Sequence, residues 1–98
     1  MEPGSIIIIN LQNPKEKMFG KLASISSSGI TVRGMDVNSF NDWMNQFTVS
    51  DKIVITPTTM FFPMHRVVSC YLDEDMGEVP SLSSQFTERT NKEMKDLL

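Results

Sequence analysis

Four β-branched residues stand in a row at Ile6-Ile7-Ile8-Ile9, and this run constrains the fold more than any other feature. Branching at Cβ leaves χ1 stiff and suits a pleated strand. An unbroken apolar run, as opposed to an alternating one, marks a strand covered on both faces. The chain has 98 residues, room for one domain and not for two independent cores. Stability should be modest at this size, so an oligomer or a docked helix would help.

Hydrophobic residues make up 40% of the chain and charged residues 21%, a balance that argues against wholesale disorder. The net charge is −3, whereas nucleic-acid binders carry a basic excess that meets phosphate. The nearest thing to a basic cluster is Lys15, Lys17 and Lys21, interrupted by Glu16 and answered by Asp73, Glu74, Asp75 and Glu78. Cys70 is the single cysteine, so no intramolecular disulfide can form, and its apolar setting predicts a buried, inert thiol. The start, Met-Glu-Pro-Gly-Ser, is acidic where a signal peptide would be basic. The isoleucine run behind it is too short for a membrane span, and a cytoplasmic protein is expected.

Along the chain, Asn13-Pro14 ends the first strand, and residues 17–25 predict a second with apolar Met18, Leu22 and Ile25. Gly20 inside it marks a bend, as a small barrel requires. Ser26-Ser27-Ser28-Gly29 is a compact turn into a third strand, in which Ile30, Val32 and Gly34 alternate. The period then changes. Ser39 and Asp42 have the spacing of a capping box, and Phe40, Trp43, Met44 and Phe47 follow on one helical face. This predicts a short helix over 39–47, with Trp43 plugging an open end of the barrel. A fourth strand is expected at 51–55, stopped by Pro57, and a fifth at 67–72, with Pro63 at a strand edge or in the turn between them. Residues 73–80 read as a solvated acidic linker. A helix follows from Ser81, docking from Leu82 to about Arg89, with Met94 and Leu97 in last turns that fray. The expected fold is mainly β: a small five-stranded antiparallel barrel over 1–80, a helix inserted after strand 3, and a C-terminal helix or tail over 81–98.

Phe19-Gly20-Lys21-Leu22, Ile25-Ser26 and Gly29-Ile30-Thr31-Val32 resemble the first motif of Sm-like proteins, where a glycine lets the second strand bend. Phe62-Pro63-Met64-His65-Arg66-Val67 resembles the proline turn that joins the last two strands of Src-homology-type barrels. The resemblance spans residues 5–72 and implies the fold. The activities do not carry over residue by residue: where Sm-like proteins hold RNA with an Asp and an Asn, this chain has Ser26 and Gly29 or Ile30, and Tyr71 is its only tyrosine.

His65 is the only histidine, and its odd spacing from Cys70 puts the two on opposite strand faces, so a nucleophile–base pair is not expected. No metal-ligand spacing and no phosphate-cradling glycine loop occur, which implies no metal, no cofactor and no enzyme. The expected function is a protein–protein interaction, adaptor or regulatory module whose partner is another protein or a sister subunit. Its contacts would be Phe61, Phe62, Met64, His65 and Arg66, with Trp43 and the C-terminal helix around Leu82 and Phe86. A structural reading of the same turn has Arg66 paired with the acidic linker and His65 capping the turn. The alternative function is an Sm-like RNA-binding module that sets Lys15, Lys17, Lys21 and Arg33 against phosphates.

Overall fold

The isoleucine run is buried from both sides, as its composition demands. In the computed structural model, which describes residues 1–49 and 52–98, it forms β1 (Ile6–Leu11) between β2 (Glu16–Ile25) and β5 (Val67–Leu72). Ile7 and Ile9 point into one apolar cluster with Leu11, Met18, Leu22, Ile30, Val32 and Phe62. Ile8 points the other way, into a second cluster with Phe19, Met35, Phe40, Trp43, Met44 and Phe86.

The sheet is antiparallel and five-stranded. Beyond β2 it continues through β3 (Gly29–Asp36) to β4 (Thr58–Pro63), in the order β4-β3-β2-β1-β5. Its two edge strands, β4 and β5, are joined only by a 3-10 turn, Met64–Arg66. In a flat sheet those edges would lie about 19 Å apart, at roughly 4.8 Å per strand spacing. Four residue steps reach at most about 14 Å when fully extended, and a 3-10 turn much less. The sheet must therefore curl until its edges approach at this end, which makes it a barrel with the first cluster as its interior. Gly20 and Gly34 are paired across β2 and β3, where the two backbones approach too closely for a side chain. Register shifts near Leu22/Ser24 and Asn10/Leu11 add further curvature.

The inserted helix α1 (Phe40–Val49) corrects two expectations. Its entry is a 3-10 turn, Val37–Ser39, capped by the Asp36 carboxylate, which accepts from the Asn38 N–H at 2.6 Å; the predicted cap was Ser39. Trp43 is only 1% exposed, but it covers the outer face of β1 and β2 and does not plug a barrel end. The reason is strand alternation. The inward residues already fill the barrel, while Ile8 and Phe19 face outward and need cover. Phe40 packs edge-on against Phe19 at 5.4 Å, and Trp43 lies 4.9 Å from Phe86, centroid to centroid.

The predicted strand at 51–55 is not in the sheet, and Asp51 itself lies outside the described residues. Residues 52–57 carry the chain back from α1 to the edge of β3. There Met60 and Phe62 sit opposite Val32 and Ile30, with Phe62 buried in the barrel, so the strand falls on 58–63. The buried amide of Gln46 holds the return. It donates to the Ile55 carbonyl at 2.6 Å and accepts from the Val54 and Ile55 N–H groups at 3.1 and 3.0 Å.

The C-terminal segment docks on its own barrel. Phe86 of α2 (Leu82–Thr90) is 0% exposed within the outer cluster. Asn91, in a left-handed conformation, ends α2, and the short α3 (Met94–Leu97) brings Met94 and Leu98 into the same cluster. Met94 and Leu98 form an i, i+4 apolar pair that gives these last turns something to bury.

Candidate functional site

The predicted contact residues do not form one surface. Trp43, Phe62 and Phe86 are core side chains, consumed by the two clusters described above. Leu82 and Met64 are half-buried, one against each cluster. Phe61 and His65 remain exposed.

Arg66 is committed elsewhere. Its Nη2 pairs with Glu16 at 2.7 Å and donates to the Pro14 carbonyl at 3.0 Å, while Nε donates to the Gln12 carbonyl at 3.1 Å. The expected pairing with the acidic linker is overturned, because the 3-10 turn packs beside the β1–β2 turn. His65 contributes its backbone carbonyl, which accepts from Gln12 Nε2 at 3.1 Å, and the 3-10 turn has no side-chain cap. The guanidinium fork therefore ties the turn between β1 and β2 to the turn between β4 and β5.

The four cations are dispersed. Lys15 and Lys17 are exposed near the β1–β2 turn. Lys21, opposite Arg33 in the register, donates to the Lys95 carbonyl of α3 at 3.2 Å, and Arg33 donates to Thr59 Oγ1 at 3.3 Å. Phe19, beneath the helical layer, separates Lys17 from Lys21 along the same face of β2.

The acidic linker is not simply solvated. Asp73 accepts from the Leu82 and Ser83 N–H groups at 2.9 Å each and from the Ser83 hydroxyl at 2.8 Å. Asp75 accepts from the Ser81 N–H at 2.8 Å and the Ser84 hydroxyl at 2.9 Å, and Ser81 Oγ accepts from the Ser84 N–H at 3.0 Å. Together these side chains satisfy the first-turn donors of α2, which would otherwise be orphaned. The Ser81 N–H, and after it the Ser84 hydroxyl, hold the Asp75 carboxyl below the usual aspartate range. Cys70, partly buried against the barrel interior, has its thiol pushed up by burial, which disfavours the nucleophilic thiolate. Among the described residues no group of three His, Cys, Asp or Glu could hold a metal ion, and no helix is long and apolar enough to cross a membrane.

Exposed apolar area gathers at a place that sequence reasoning missed. After β5, Met76 and Val79 exchange two backbone hydrogen bonds, 2.8 and 2.9 Å, across a two-residue turn with Gly77 at φ +60°. Directly opposed residues in such a pair share a face. Met76 is 67% exposed and Val79 58%, and both line a groove of about 450 Å³ whose walls include Ile8, Val37, Tyr71 and Leu82. Tyr71 and Leu72, also exposed, connect this platform to β5. The clue in the sequence was Met76-Gly77-Glu78-Val79, a turn glycine flanked by apolar residues, but the surrounding carboxylates masked it.

The edge of β5 is available as well. Ladder pairing with β1 places Ile6 opposite Asp73, whose N–H donates to the Ile6 carbonyl at 3.0 Å. Hydrogen-bonded pairs alternate along an antiparallel ladder, so Tyr71 also faces β1 while the N–H and C=O groups of Cys70 and Leu72 point outward. A second groove, about 790 Å³, lies at the β1–β2 turn and is lined by Asn10, Gln12, Asn13, Asn38, Lys15 and Lys17 among others. Comparison with known protein families, curated proteins and solved structures finds no match to this chain.

Proposed function

We propose that this chain is a non-enzymatic interaction module, an adaptor or regulatory subunit that binds another protein through the edge of β5 and the platform beside it. One observation carries the reading: Tyr71, Leu72, Met76 and Val79 leave apolar area in water next to strand backbone whose outward groups have no ladder partner among the described residues. Sheet edges are usually blunted by charge or proline. The β5 segment, Val-Val-Ser-Cys-Tyr-Leu, has neither, whereas β4 ends in Pro63. Grouped exposed apolar residues of this kind mark interaction sites more than scattered single ones do.

The test is a paired capture experiment with the wild-type chain and a Met76→Glu/Val79→Glu variant. Both side chains are more than half exposed, so the fold should survive. The reading expects specific partners to be retained by wild type and lost by the variant. Identical partners on both baits would place the interaction elsewhere. The alternative, RNA binding through Lys15, Lys17, Lys21 and Arg33, has weaker support, since Lys21 and Arg33 are occupied and the four do not converge. It would require RNA retention that falls steeply between about 50 and 200 mM salt.

A further inference from the structure

We infer that the occupant of this surface is an extended apolar peptide with basic flanks, from another protein, that adds to β5 as a sixth strand. The inference rests on the interaction-module reading and names its ligand class.

Backbone geometry supplies the first argument. The outward N–H and C=O groups of Cys70 and Leu72 repeat at the two-residue period of a strand. Only another extended backbone can satisfy both in register, which is the basis of recognition by strand addition.

Side-chain placement supplies the second. Tyr71 lies opposite Ile8, whose side chain belongs to the outer cluster, so Tyr71 faces the outer side of the sheet. A guest residue beside Tyr71 would place its side chain on that side, at the mouth of the groove walled by Met76, Val79 and Leu82. That groove, about 450 Å³, exposes mainly apolar surface and suits one or two aliphatic side chains, while Lys17, Asp73, Glu74 and Gln85 supply polar groups along its lining.

Charge supplies the third and selects the partner. No Lys or Arg occurs anywhere from Val67 to Glu88, while Asp73, Glu74, Asp75 and Glu78 crowd the end of the edge. Glu74 and Glu78 are exposed, and Lys17 is the single cation on the groove wall. A guest carrying Lys or Arg beside its apolar stretch is therefore drawn to this end. A second copy fits less well. Its own free edge, Thr58–Pro63, is uncharged, and two chains of net charge −3 repel each other.

The experiment titrates the 98-residue chain, labelled with nitrogen-15, with the peptide Lys-Val-Thr-Val-Thr-Val-Lys. The expected result is saturable perturbation of the Cys70, Leu72, Met76 and Val79 amides. Binding should vanish when alternate peptide nitrogens are methylated, and weaken by at least about tenfold when both Lys are replaced by Glu. Perturbation centred elsewhere, equal binding by the methylated peptide, or no binding up to millimolar peptide overturns the inference. So does a wild-type dimer in light scattering that Val79→Glu abolishes, since the occupant would then be a second copy. If the peptide fails while Met76→Glu/Val79→Glu still loses captured partners, the strand-addition inference falls and the interaction module stands.

Discussion

Gly20 and Gly34 stand directly opposite each other on β2 and β3, so close that neither position has room for a methyl group. A Cβ on Gly20 would lie 2.5 Å from the Arg33 carbonyl oxygen, and one on Gly34 would overlap the Phe19 carbonyl. The obstacle in each case is backbone that belongs to the ladder, so a flexible side chain cannot relieve it. A side chain at either position would force β2 and β3 apart.

Gly34→Ala should therefore cost about 3 kcal/mol or more, at the upper end of overpacking effects. Gly77→Ala, at a positive φ but with nothing within 4 Å of its Cβ, should cost only about 1 kcal/mol. Urea denaturation of both variants makes the comparison. Near-equal losses would mean that β2 and β3 can part at little cost.

Arg66 should matter through its fork more than through its charge. Arg66→Lys keeps the cation near Glu16 but cannot reproduce the donors to the Gln12 and Pro14 carbonyls, and a loss of about 1–2 kcal/mol is expected. Glu16→Gln removes only a partly exposed ion pair and should cost about 0.5 kcal/mol. If Glu16→Gln proves the more damaging in thermal or chemical unfolding, the ion pair and not the carbonyl cradle is what holds the two turns together.

Gln46→Glu should loosen the return from α1 to β4. An ionised carboxylate can still accept from the Val54 and Ile55 N–H groups but cannot donate to the Ile55 carbonyl, which would face it at close range. A loss of about 2 kcal/mol is expected, with faster amide hydrogen exchange at Val54 and Ile55. Unchanged exchange there would show that something other than Gln46 holds these residues.

Acid should weaken the hold on the start of α2. The folded-state pKa of Asp75 lies below its ordinary value, with the Ser81 N–H as the main cause. The unfolded chain then takes up this proton before the folded one does. The stabilisation is complete above the ordinary aspartate value of about 3.9 and is lost as pH falls through the lower, folded value. An acid titration followed at the α2 amides should show this loss in wild type and a flatter profile in Asp75→Asn. Parallel profiles would remove Asp75 from the account.

Much of the fold was legible because local chemistry and tertiary demand agreed. The isoleucine run, Gly20, the Phe40-Trp43-Met44 stripe and the Val67–Leu72 strand each do what their residue types favour. The failures have one character. Ile53-Val54-Ile55 has strand propensity, but the sheet pairs Thr58–Pro63 instead, because the register with β3 buries Phe62 in the barrel. Asp73 and Asp75 looked like solvated charge, and their partners, the N–H groups of Ser81 to Ser83, could be recognised only once α2 had docked.

The candidate surface was harder to read for the same reason. Large apolar side chains such as Trp43, Phe62 and Phe86 are equally suited to a core or an interface, and packing decides between them. The sequence alone determined a mainly β fold, a second strand with a glycine inside it and an amphipathic helix, because these follow from backbone stiffness and periodicity. The tertiary structure decided the rest: which face of the sheet the helices cover, that the C-terminal turns dock in cis, and that Met76 and Val79 are left in water. Those outcomes depend on which side chains fill the limited interior volume first, a competition across the whole chain that no local pattern records.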